Sequence, residues 1–326
     1  MKRENLIKDN ESNFVEKYTH FPQGKFITVV VQREAQSECI FRTEGSGEGL
    51  NKERVSLGLN KNDKDFRAVI SKRKQVAVER RTGREYLRLN NLLFETKTKE
   101  KTICALNKNA PCGKCLDCML NGYAVGDGGA QKSRVIYDNA YSILPFKMVT
   151  GIKTFNALYD NGTMRDENGK PSSSINESEY IKPGTIFMDM VTFKDVTFTE
   201  FIYGLSNIVR SKRYGAMSSR IGKMKNKILK IAFSDCELFS NLELTQGIYD
   251  KLNENSQIEF PLDDVKVQEY ASESFNELKT EVYGNVKELN EEDLQELLSY
   301  IKEIFSEDGE EKAAELFKEQ SNEYGE

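Results

Sequence analysis

Apolar and polar positions along this chain change period several times, and each change marks an element. The segment "KFITVVVQREAQSECIFRT" is rich in β-branched residues and breaks at 34–37, which predicts a strand or hairpin. "SRVIYDNAYSI", "TIFMDMVTF" and "NKILKIAF" read as further strands, and "QVAVER" as a short one. In "TGREYLRLNNLLFE", Tyr86, Leu89 and Leu93 recur at helical spacing. Thr82 and Glu85 precede them with capping-box spacing, so a helix is expected over 83–95. Thr197 and Glu200 repeat that spacing ahead of a stripe of Phe198, Phe201, Ile202, Leu205, Ile208 and Val209.

The order β-α-β-β-α-β predicts an α+β fold with a ferredoxin-like core carrying large insertions. Core segments fall at 25–43, 76–95, 126–145 and 184–235. Residues 44–75 are Gly-, Lys- and Asn-rich and read as a long loop or peripheral insertion. Residues 96–125 hold most of the cysteines, and 146–183 carry the turn signals "DNGT", "ENGKPSSS" and "KPGT". Residues 236–326 form an acidic helical region. Its clearest helix starts at Asn290 and lines up Leu294, Leu297, Leu298, Ile301, Ile304 and Phe305 for packing on the core.

Charge sharpens this division. The net charge of −5 conceals 40 Lys and Arg against 26 Asp and Glu in residues 1–230, a balance of +14. Residues 231–326 hold 7 against 26, a balance of −19. Such asymmetry points to a polyanionic partner for the first part, with a solvated surface plus acidic tail as the plain alternative. No apolar run has the length of a membrane span, and the Met-Lys-Arg-Glu start does not look like a secretory signal. A soluble, intracellular protein is expected.

Cys104, Cys112, Cys115 and Cys118 space as C-x7-C-x2-C-x2-C. Four thiolates fill a tetrahedral zinc sphere and leave no place for an activated water, so the expected metal is structural zinc. An iron–sulfur cluster is the competing reading, and a metal-free cluster the third. Cys39 and Cys236 lie in strand-like segments and read as buried apolar side chains.

Two loops invite an anion. "GDGGAQKSR" places Gly126, Gly128 and Gly129 before Lys132, Ser133 and Arg134, without the spacing of a nucleotide-binding loop. "RYGAMSSRIGKMKN" surrounds Gly215 and Gly222 with Arg213, Tyr214, Ser218, Ser219, Arg220 and Lys223. Arg80, Arg81, Arg84 and Arg88 cluster around the expected helix start, whose N–H groups suit phosphate. A lone glycine run reads better as a surface turn, but three basic segments together fit a path along several phosphates. His20 is the single histidine, and no acidic spacing near these loops singles out a metal pair, so no catalytic residue is assigned.

The glycine loop, "KSRVIYDNAY", a polar hairpin region, "YIKPGTIFMDMVTF" and "RYGAMSSRIGKM" follow one another in an order that resembles the Cas-seven backbone proteins of CRISPR effector complexes. These belong to the repeat-associated (RAMP) superfamily. The cysteine cluster and "FSDCELFSNLELTQGIYD" are similar to its type I-D branch, the Csc-two family, over about residues 25–252. The resemblance implies an RRM-like palm, a zinc-binding insertion at 96–125 and a thumb-like hairpin at 146–183. It also implies antiviral function in a cytoplasmic, Cascade-like ribonucleoprotein with no membrane partner. Copies would run head to tail along CRISPR RNA, meet other effector subunits and present the guide for pairing with a target DNA or RNA strand.

Carried over by motif, guide contacts fall on Lys132, Ser133, Arg134, Arg213, Ser218, Ser219 and Arg220, with Arg80, Arg81 and Arg84 in addition. Some superfamily members cut bound RNA with an acidic loop residue, and no residue here aligns with it. A non-catalytic subunit is the leading expectation; a metal-dependent ribonuclease using the same groove is the alternative.

Overall fold

The computed structural model describes residues 10–42, 49–59, 63–96, 102–106, 110–125, 129–156, 158–171, 175–216, 221–307 and 309–324. In chain order the first strands are β1 (Phe26–Ala35), β2 (Lys52–Ser56), β3 (Lys64–Ile70), β4 (Tyr123–Val125), β5 (Gly129–Gln131) and β6 (Val135–Tyr137). Then follow β7 (Ala140–Pro145), β8 (Thr150–Asn156), β9 (Ile175–Ile181), β10 (Ile186–Lys194), β11 (Arg213–Tyr214), β12 (Gly222–Ser234) and β13 (Val286–Glu288). The helices are α1 (Lys72–Leu89), α2 (Leu116–Asn121), α3 (Phe146–Val149) and α4 (Phe198–Arg210). The C-terminal region adds α5 (Asn241–Glu254), α6 (Asp264–Lys279), α7 (Glu291–Ile304) and α8 (Glu310–Glu323).

These make a mixed α+β fold around one large antiparallel sheet, ordered β11-β12-β1-β10-β7-β3-β2, with β13 on β12 and β6 on β10. β1 is central: Phe26 to Glu34 pair with Lys194 to Ile186, and Phe26 to Ala35 pair with Ser234 to Met224 across a bulge at Val30/Val31. Both faces of β1 are covered. Ile27, Val29 and Val31 join a cluster with α1, α2, α4, α7 and α8, whereas Val30 joins one with α5 and α6. Two-sided burial is why this strand reads as a continuous apolar run.

The sequence locates α4 well. Thr197 and Glu200 exchange the two bonds of a capping box, and Phe198, Phe201, Ile202, Leu205 and Ile208 are buried. Asn290 caps α7, and Leu294, Leu297, Ile301 and Ile304 pack into the core. No helix of the described residues is long and apolar enough to cross a membrane.

Two expectations need correction. "QVAVER" is no strand and the first helix does not start at Gly83: α1 begins eleven residues earlier, after Ser71, and ends at Leu89. Thr82 is mid-helix, its hydroxyl donating to the Val78 carbonyl. The face that α1 buries is largely polar (Gln75, Glu79 and Arg84 beside Tyr86 and Leu87), so apolar periodicity is silent over its first three turns. Gly83 lets α4 cross closely, since a Cβ there would sit 2.4 Å from the Tyr203 hydroxyl. Residues 44–75, expected as a long loop or a peripheral insertion, include β2 and β3, which extend the sheet edge.

Candidate nucleic-acid interface and metal centre

The described residues among 102–125 form a small lobe whose helix α2 packs against α1 and α4. Cys115 caps α2 through its sulfur, which accepts from the Cys118 N–H at 3.4 Å. The same local geometry points the Cys115 N–H at Cys112 Sγ (3.3 Å) and the Cys112 N–H at Cys104 Sγ (3.4 Å). All four sulfurs are buried and lie within 4.8 Å of one another. Cys104 Sγ is 3.9 Å from that of Cys115 and 3.5 Å from that of Cys118. Tetrahedral thiolates about 2.3 Å from one zinc ion stand about 3.8 Å apart. The four cysteines therefore fit a single tetrahedral ion, whereas a multi-iron cluster needs its thiolates spread further.

The arginines nominated around α1 divide. Arg80 grips Asp117 of α2 with two bonds, 3.0 and 2.9 Å, and also reaches the Gly122 carbonyl. Arg84 donates to the same carboxylate at 2.8 Å and to the Cys104 carbonyl at 2.6 Å. Burial disfavours the Arg84 charge, but Asp117 outweighs it and holds the guanidinium above its ordinary pKa. Arg81 alone of the three points to solvent. All three sit well past the first turn of α1, so the free N–H groups of that helix start lie elsewhere.

The segment 132–134 divides too. Lys132 and Ser133 are exposed, although the Ser133 hydroxyl donates to the Val135 carbonyl at 2.8 Å. Arg134 turns inward. It forks onto Glu200, donates to the Asp195 and Met119 carbonyls at 2.9 and 3.2 Å, and stacks 4.7 Å over the Tyr18 ring. Tyr324, just past α8, donates to the same Glu200. Gly126 and Gly128 lie outside the described residues, as do Ser218, Ser219 and Arg220.

The strands next to the two segments share a buried anchor. Tyr137, at the end of β6, donates to Glu79 Oε2 at 2.8 Å, and Tyr214, opening the second loop, donates to Oε1 at 3.0 Å. Arg33 pairs with that carboxylate at 2.9 Å and with Asp189 at 2.7 Å. One buried carboxylate thus ties β6 and β11 together against the central sheet. Desolvation raises the Glu79 pKa, opposed by Arg33.

Beside the second loop lies a cleft of about 640 Å³. Gln36 to Glu38 and Ile40 line it together with Lys153, Ser178 and Tyr180 of the β8–β9 hairpin, Pro183, Arg213 and Ile221. Gly222 is a packing glycine, not a bare surface for a ligand: a Cβ there would meet Cys39 Sγ at 2.2 Å. Next to the cleft, Lys223, Lys225 and Lys227 alternate with buried Met224 and Asn226 along β12, so the three lysines share one exposed face. Lys212 stands beside them, its pKa lowered by partial burial and then by Lys223. Like charges collected in this way are the arrangement an anion relieves. Sequence reasoning passed over Lys225 and Lys227, although the K-x-K-x-K period of "GKMKNK" signals them. The hairpin projects beyond the cleft, with Ile152, Leu158 and Tyr159 exposed.

The family model described as Csc2 Crispr matches residues 13–314. No curated protein matches the chain. Among solved structures, the crystal structure of Thermofilum pendens Csc2 is 18% identical with a TM-score of 0.57, covering 98% of this chain and 98% of that one. A chain of a CRISPR RNA-guided surveillance complex in a pre-nicking state is 9% identical, with a TM-score of 0.48 and coverage of 80% and 90%. A chain of a type IV-B CRISPR complex is 13% identical, with a TM-score of 0.40 and coverage of 62% and 90%. The first of these shows a shared fold.

Proposed function

This chain belongs to the Csc2 CRISPR family, and from that premise we propose that it is the guide-RNA-binding backbone subunit of a type I-D, Cascade-like effector complex. In this reading it is a cytoplasmic, non-catalytic protein. Copies assemble head to tail along CRISPR RNA, a heterologous contact that builds an open filament. They meet other subunits and leave the bases free to pair with a target strand. The core is ferredoxin-like: β12-β1-β10-β7 is the 4-1-3-2 order of that fold, with α1 and α4 as its two helices. The β8–β9 hairpin serves as the thumb, and zinc holds the lobe of Cys104, Cys112, Cys115 and Cys118.

The observation that carries the RNA reading is the lysine face of β12 beside the cleft and the second loop. A subunit that accepts any guide must grip phosphate and sugar, not base edges. Lys223, Lys225, Lys227, Lys212 and Arg213 offer ammonium and guanidinium groups without base-reading geometry. Ser218, Ser219 and Arg220 follow on the adjoining loop, and Lys132, Ser133 and Arg81 are available elsewhere. Arg80, Arg84 and Arg134 enter this reading as supports of the scaffold, since each is held in an ion pair with Asp117 or Glu200. Anisotropy titration of full-length protein with unrelated single-stranded RNAs at several salt concentrations tests it. Equal affinities that fall steeply with salt support the reading. Strong preference for one sequence, or no binding in dilute buffer, overturns it.

A further inference from the structure

Four thiolates on one divalent ion carry a net charge of −2, a costly charge to bury unless neighbouring groups offset it. In this lobe the offset is asymmetric. Arg84 places NH1 and NH2 each 3.6 Å from Cys104 Sγ, which also accepts from the Cys112 N–H at 3.4 Å. Arg80, one helical turn earlier on α1, bonds Asp117 and the Gly122 carbonyl but no sulfur. Asp117 receives both guanidiniums and so fixes the direction of Arg84. The three side chains together add +1 beside the ion, and Arg84 delivers its part at a metal-facing sulfur.

We infer that Arg84 is an outer-shell donor to the metal centre, setting how tightly the ion is held through Cys104, with Asp117 as its positioning residue. Arg80 is a docking latch between the lobe and α1. This rests on the reading of the four cysteines as a single-ion site. Donors behind a ligand orient it and adjust its charge, and their loss commonly costs 10–100-fold in metal affinity. N–H···S bonds draw electron density from sulfur and so also move the energy of sulfur-to-metal charge transfer.

The two arginines provide their own control. Full-length wild type, R80L and R84L are loaded with Co²⁺ and their absorption recorded, and zinc affinity is measured by competition with a chromophoric chelator. The expected result is a shifted sulfur-to-cobalt band and roughly 10–100-fold weaker zinc binding in R84L. R80L is expected to keep the wild-type band even if the lobe loosens. Identical bands in both variants, with equal losses of zinc, would reduce Arg84 to a second latch and overturn the assignment. Should R84L fail to fold, R84K keeps the charge but not the fork, and an unshifted band there overturns it equally. A wild type that takes up neither cobalt nor zinc removes the metal site itself and the assignment with it. RNA binding by wild type in the same preparation shows separately whether the guide reading stands.

Discussion

The arginines around the cysteine lobe and the central sheet and the lysines of β12 were drawn from one basic part of the sequence, yet the fold places them in opposite surroundings. Arg33 and Arg84 are buried and Arg134 is partly so, and they pair with Glu79, Asp117, Asp189 or Glu200. Arg67 is buried with carbonyls as its hydrogen-bond partners: its guanidinium reaches those of Ser142, Ile143 and Leu57 and lies 5.1 Å from the centre of the Tyr249 ring. Lys223, Lys225 and Lys227 are exposed, with Lys227 donating to Gln268 Oε1 at 2.6 Å and none of them held in a buried ion pair among the described residues. A guanidinium presents a rigid, weakly hydrated fork that survives burial when matched to carboxylates or carbonyls, whereas an ammonium is a strongly hydrated point charge. Counting cations in a sequence therefore overstates the surface open to a polyanion when many of them are arginine.

The sharpest way to break this contrast is Arg134→Leu. Removing one partner of a buried pair leaves Glu200 uncompensated and is expected to destabilise the protein by about 3–5 kcal/mol, read from chemical denaturation. A loss of RNA affinity without loss of stability would instead make Arg134 a ligand contact. The triple variant K223E/K225E/K227E should behave in reverse. Its midpoint should move little, since exposed substitutions usually fall within about 0.5 kcal/mol each. RNA affinity should drop roughly 100-fold at low salt, and the log–log salt slope should flatten by about 2, because three phosphates would no longer be neutralised.

Gly222→Ala sharpens the wall between them. A methyl group 2.2 Å from Cys39 Sγ must push β12 from its neighbour, at about 1–3 kcal/mol by denaturation. No change in stability would return Gly222 to the role of ligand-facing glycine. The smallest effect concerns cysteine. Burial pushes the Cys39 thiol up to about 12, so the reactive thiolate is scarce at pH 8. Brief alkylation of zinc-loaded protein at that pH should modify Cys236, which is partly exposed, and leave Cys39 intact by mass spectrometry.

How much of this was legible follows from what each element buries. α4 and α7 bury apolar stripes behind side-chain caps at Thr197 and Asn290, and their limits could be read directly. The cysteine spacing likewise announced a cluster that the fold assembles. α1 was half hidden because its buried face is an ion-pair and amide network with Arg33 and Asp189, which exist as partners only after the sheet forms. For the same reason Arg84 and Arg134 read as free cations: Asp117 lies 33 residues from Arg84, and Glu200 lies 66 from Arg134. The lysine row was legible in principle, since period-two charge on a strand fixes one face, but the adjoining glycines made Lys223 and Lys225 read as part of a loop and set them apart from Lys227 on the strand that follows.

Differential acetylation tests the central claim most directly. Full-length protein is briefly acetylated with and without a single-stranded RNA, and each lysine's modification is measured by mass spectrometry. The account predicts that Lys212, Lys223, Lys225 and Lys227 become protected together, for any RNA sequence, and that lysines of α6 and α8 do not. Protection confined to the acidic C-terminal helices, or a β12 row acetylated equally with and without RNA, would contradict it.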